Sequence, residues 1–119
     1  MKKLSSINQV ATEHFLEDYL CLPNGAVTNG VNLKTGISDF VYNEITGYQL
    51  SILLMKKQND LLNEEIDNQI FSVVNYLKSQ IRFDNRCLHG TGPGQIVDER
   101  FYVFDNCIIL QSLITYYLI

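Results

Sequence analysis

The amino-acid sequence predicts an all-α protein of about four helices, arranged as two αα-hairpins in which amphipathic and apolar helices alternate. Three observations predict it. Four segments carry apolar residues at helical spacing. Clusters of Asn, Gly and Pro separate most of them. The short polar stretch Asn59 to Asn63 permits an antiparallel return. A length of 119 residues fits one helical domain, 1–119. A hydrophobic share of 46% is that of a globular chain.

The first helical pattern runs from about Leu4 to Leu22, with Leu4, Ile7, Val10, Ala11 and Phe15 on one face, and Pro23-Asn24-Gly25 stops it. A loop of about twenty residues follows, punctuated by Asn29-Gly30 and Thr35-Gly36. The second helix is expected from Asn43 or Glu44 to about Gln58. Its apolar residues Ile45, Tyr48, Leu50, Ile52, Leu53, Leu54 and Met55 surround the axis, the mark of a helix buried on most sides. The third is expected from Glu64 to Gln80. Ile66, Ile70, Val73, Val74, Leu77 and Ile81 line one face, and Glu64 and Glu65 suit the positive end of its dipole. A second long loop, Arg82 to Val103, contains Gly90-Thr91-Gly92-Pro93-Gly94. The fourth helix is expected from Asp105, read as its N-cap, through Ile119, and is apolar nearly all round.

The alternation sets the second and fourth helices inside and the first and third outside. Segments 42–54 and 102–114 occupy equivalent places in this pattern, a periodicity of burial that supports an internal repeat. A plain four-helix bundle would instead show four similarly amphipathic helices.

Nine basic against thirteen acidic residues give a net charge of −4, which lacks the electrostatic footprint of a nucleic-acid or anionic-membrane binder. Met1-Lys2-Lys3 is followed by polar residues and not by the apolar core of a signal peptide. No segment approaches the ~20 apolar residues of a membrane span. A cytoplasmic location is the expectation. Cys21, Cys87 and Cys107 are odd in number and widely spaced, so buried reduced thiols are expected in place of a disulfide scaffold or zinc knuckle. His14 and His89 stand isolated, and no metal or cofactor site is expected. Cys87-Leu88-His89 lacks the oriented base in space that a catalytic thiol requires. The glycine-rich loop at Gly90 lacks the ending of a phosphate-binding loop and is read as a flexible turn.

Four stretches share an order and spacing with a known pattern. Tyr42-Asn43-Glu44-Ile45-Thr46-Gly47-Tyr48 resembles the Tyr-Pro-Glu-Val-Thr-Gly-Tyr motif that opens an inner helix in α/α-toroid proteins of the six-hairpin glycosidase type. Tyr76-Leu77-Lys78-Ser79-Gln80 is similar to Trp-Leu-x-x-x-Gln on the following outer helix. Asp84-Asn85 resembles the Asp-Gly turn that follows. Val103-Phe104-Asp105 resembles the start of Val-Phe-Asp-Thr-Gly-Gln on the next inner helix. The chain departs at Asn43 for proline, Tyr76 for tryptophan, and Asn106-Cys107-Ile108 for Thr-Gly-Gln. The resemblance spans roughly residues 39 to 116 and implies N-terminal hairpins of a toroid that binds or processes glycans at one end of its inner helices. A closed ring of six hairpins takes on the order of three hundred residues at ~50–60 per hairpin. Missing C-terminal hairpins or self-association are therefore expected.

Asp39, Glu44 and Asp105 fall at or just before the two inner-helix starts and are the candidate catalytic acids, glycoside hydrolysis requiring paired carboxylates. Acidic residues there also satisfy helix N–H groups and complement the dipole. Tyr42, Tyr48, Phe101 and Tyr102 are candidate sugar-stacking residues, and core packing at the loop–helix junction is their alternative role. The function expected is a glycan-processing or glycan-binding segment. The alternative is a non-catalytic helical-hairpin module that binds other proteins.

Overall fold

A computed structural model of the chain describes residues 21–30, 32, 34–37, 40–81, 90–91, 97–98, 100 and 102–119. Three helices organise them: α1 (Asn43–Asn59), α2 (Glu64–Gln80) and α3 (Val103–Leu118). They correspond to the second, third and fourth expected helices. Most of the first pattern lies outside the described residues. Its expected end does not: Cys21 bridges antiparallel to Val27, so the chain there is extended and not helical.

α1 begins after Tyr42, whose extended backbone (φ −120°, ψ 113°) makes it the cap position. Glu44 sits in the first turn and Lys56 and Lys57 in the last, each matched to the helix dipole. The chain turns at once, and the Asn63 side chain accepts from Ile66 N–H at 3.2 Å to cap α2. Lys57 and Asp67 join the two helix ends with a 2.7 Å ion pair. Of the expected stripe, α2 buries Ile70, Val73, Val74 and Leu77, to which the structure adds Tyr76; Ile66 is half-buried, and Ile81, at the C-cap, is exposed.

α1 is the middle element and packs on both α2 and α3. Leu50, Leu53 and Leu77 are fully buried at the centre, with Ile109 and Leu113 of α3 and Ala26 of the preceding loop around them. Each such leucine contributes about 1.5–3 kcal/mol through its removal from water. The close approach of α1 to α3 depends on Gly47. A Cβ there would lie 3.3 Å from Ile109 Cα and 3.4 Å from Ile108 Cγ2. Gly25, at φ +90°, lets the loop press against the α2 backbone at Ser72, where a Cβ would clash.

Three features differ from expectation. First, the long loops carry a small antiparallel sheet, β1 (Val41–Tyr42), β2 (Gly90–Thr91) and β3 (Val97–Asp98), in the order β1-β2-β3. Two-residue strands are too short for period-2 patterning to reveal, and Gly90, read as part of a flexible turn, pairs with Tyr42. Second, α3 starts two residues early. Tyr102 (φ −112°, ψ 139°) is its cap position, and Asp105 lies inside the first turn. Third, α1 is not buried all round. Tyr48, Ile52 and Met55 face outward, and the buried side includes Asn43, Thr46 and Gln49.

Candidate functional site

Both β1 and β3 run antiparallel to β2, so they point the same way, and α1 and α3 follow them in the chain. The two starts are built alike. Thr46 Oγ1 donates to Tyr42 O at 3.0 Å, and Asn106 Nδ2 donates to Tyr102 O at 3.0 Å. Tyr42 and Tyr102, like Thr46 and Asn106, are 60 positions apart. Thr46 Oγ1 also accepts from Val27 N–H at 3.0 Å, tying the α1 start to the preceding loop.

Five of the seven candidate residues lie at these starts. The Tyr42 hydroxyl donates to Glu44 Oε2 at 2.6 Å. This bond to a carboxylate raises the Tyr42 pKa far above the usual tyrosine value, with burial and the negative charge of Asp105 adding to it. Tyr102 acts on the same hydroxyl. Tyr48 also titrates above its ordinary value, through desolvation and then the charge and hydrogen bonding of Glu44. The Glu44 carboxylate thus contributes to both shifts, foremost for Tyr42 and after desolvation for Tyr48. Phe40 packs on Tyr42 with ring centroids 5.8 Å apart.

The members differ in access. Tyr48 and Tyr102 are exposed and Glu44 is half-buried, whereas Asp105 is only 3% exposed. A carboxylate so enclosed, in the first turn of α3, cannot meet a polymeric substrate directly. Asp39 and Phe101 lie outside the described residues, as do Cys87 and His89. Cys107 is exposed on α3, which corrects the expectation that the cysteines are buried.

Asn43 and Tyr76, two of the positions at which the sequence departs from the motif it resembles, meet in space. Tyr76 Oη donates to Asn43 Oδ1 at 2.7 Å, and Asn43 Nδ2 donates to Gln80 Oε1 at 3.3 Å. Asn43 is fully buried, and its side-chain amide is satisfied by Tyr76 and Gln80. The bonds fasten the first turn of α1 to the last turns of α2. Each position was visible in the sequence, but their mutual bonding was not, since it joins residues 33 and 37 apart.

Among the described residues no three His, Cys, Asp or Glu side chains gather as a metal site, and no helix is long and apolar enough to cross a membrane. No protein-family model, curated protein or solved structure matches the chain.

Proposed function

We propose that the chain is a glycan-binding part of an α/α-toroid-like helical protein, with its binding surface at the common end of α1 and α3. The observation that carries this reading is the convergence of Glu44, Tyr42, Tyr48 and Tyr102 there, with Asp105 behind them. The exposed rings of Tyr48 and Tyr102 suit the C–H face of a pyranose. The half-buried Glu44 carboxyl accepts from sugar hydroxyls, and bonds to a carboxylate are the stronger class.

Binding is favoured over hydrolysis. Hydrolysis requires two carboxyls reaching one glycosidic bond, ~5–5.5 Å apart for retention or ~6.5–9.5 Å for inversion. Of the described candidates only Glu44 offers that access. Titration of the protein with neutral oligosaccharides, followed by Tyr48 and Tyr102 ring resonances, tests the reading. Saturable shifts that disappear in Glu44→Gln and Tyr48→Ala support it. Their absence across a broad oligosaccharide panel overturns it.

The second reading, a helical module that binds protein, is favoured by one observation. Val103, Leu110, Ile114, Tyr117 and Leu118 of α3 are exposed along a single face. A monodisperse monomer by light scattering, with Leu110→Lys leaving the mass unchanged, counts against self-association through it.

A further inference from the structure

The outer side of α3 carries an order that its packing on α1 does not use. Ile109 and Leu113 are buried in the core. On the other side of the helix stand Val103, Cys107, Leu110, Ile114 and Tyr117, and all five are exposed. They follow one another at intervals of 4, 3, 4 and 3 residues. At 3.6 residues per turn that spacing holds them within one narrow arc. It is the spacing of a seam whose side chains pack as knobs into the holes of a second helix.

The seam is apolar throughout, the free Cys107 thiol behaving as a small hydrophobe. Phe104, Gln111 and Leu118 flank it on one side and Asn106 on the other. None is charged, and the one charged residue of α3, Asp105, is buried. Flanking charges let a helical seam select a foreign partner or repel its own copy. α3 has neither device. Area decides the strength of the contact. Val103, Leu110, Ile114 and Tyr117 are 83, 58, 47 and 65% exposed, and Leu118 beside them 81%. Side chains of these sizes leave on the order of 600 Å² of apolar surface in water, at the upper end of patches on ordinary monomers. Two such faces together bury on the order of 1,200 Å², the lower bound of a stable specific interface.

We propose that two copies of this chain associate as a two-fold dimer, the α3 seam of one packing on the α3 seam of the other. The inference rests on the reading of α3 as a protein-binding face and names the partner. A two-fold contact needs a face that complements itself. An uncharged seam of this spacing does so, because each copy presents the same knobs and holes and no charge opposes its like. Burial of this size supports micromolar association. The dilute chain is therefore a monomer with the seam in water, and the concentrated chain is a dimer.

Sedimentation equilibrium over about 1–300 μM tests the proposal. Wild type is expected to pass from the monomer mass to twice that mass across this range. Leu110, the middle residue of the seam, faces its own copy in full overlap whether the helices run parallel or antiparallel. Leu110→Lys sets two ammonium groups together there and keeps the helical circular dichroism, because Leu110 is exposed in the monomer. It is expected to weaken association at least about a hundredfold. Phe71→Lys, at a comparably exposed position on α2, is expected to leave association within about twofold. Peptide-resolved alkylation reads the seam itself, with Cys107 expected to react about tenfold more slowly in the dimer than in the monomer. A monomer at every concentration overturns the proposal and leaves the protein-binding reading a different protein as its partner. A dimer that persists in Leu110→Lys, is lost in Phe71→Lys, or leaves Cys107 equally reactive overturns the seam, while self-association itself stands.

Discussion

Helices α1 and α3 look alike in sequence and are used in opposite ways. Both carry apolar residues around the axis, and both start from a tyrosine at the cap position. Yet α1 buries polar residues (Asn43, Thr46 and Gln49 are all under 5% exposed), whereas α3 leaves Leu110, Ile114, Tyr117 and Leu118 in solvent. The difference lies in the neighbours. α1 has α2 on one side and α3 on the other, while α3 packs chiefly on α1. Hydropathy states what a side chain loses in water, and position states whether anything covers it. A central helix buries whatever stands on its inner sides, polar groups included: the Asn43 amide finds partners in Tyr76 and Gln80, whereas Gln49 Oε1 has none.

The sharpest way to break this contrast is to truncate one leucine on each helix. Leu53→Ala removes a fully buried side chain and is expected to cost about 2–5 kcal/mol. Leu110→Ala, at a position 58% exposed, is expected to stay within about 0.5 kcal/mol. Urea unfolding of both variants measures the gap. Equal losses would mean that α3 is covered on its outer face.

Next in size is the contact between the helices. Gly47→Val sets a branched Cβ against the Ile109 backbone, and about 1–3 kcal/mol of destabilisation is expected from overpacking. Equilibrium denaturation checks it. A neutral result would show that α3 shifts freely away from α1.

Tyr42→Phe removes a bond to a carboxylate at a partly exposed position and is expected to cost about 1 kcal/mol. It also carries a pH signature. The folded-state pKa of Tyr42 lies above its unfolded value of 10.0, so its contribution is complete below that value and is lost as pH rises through the folded pKa. Wild type should therefore lose stability above pH 10 more steeply than Tyr42→Phe, as thermal melts across the alkaline range would show.

The smallest effect expected is at the α2 cap. Asn63→Ala leaves Ile66 N–H without its acceptor and should cost about 1 kcal/mol or less at this exposed turn.

How far these features were legible depends on their range along the chain. The bounds of α2, Glu64 to Gln80, follow from an unbroken stripe and match the structure at both ends. The end of α1 is off by one residue. The start of α3 was misplaced because Asp105 has the chemistry of a cap, while the chain enters the helix at Val103 by extended geometry at Tyr102, which has no side-chain cap bond. The acids and tyrosines of the rim were legible as residue types at helix starts. Their meeting around Tyr42 depends on the packing of α3 against α1, between residues about sixty positions apart, which leaves no periodic trace.

The sequence by itself determined the all-α class, the spans of three helices within one or two residues, and the acidic and aromatic character of their starts. These follow from local rules: periodicity, turn residues and charge at helix ends. Only the tertiary structure decided which apolar face is covered, why an amide sits in the core, and how Tyr42, Glu44, Tyr48, Tyr102 and Asp105 come to share one end of the molecule. Those outcomes depend on contacts between residues tens of positions apart. The free energy of a side chain is set by the atoms finally packed against it, which local sequence does not specify.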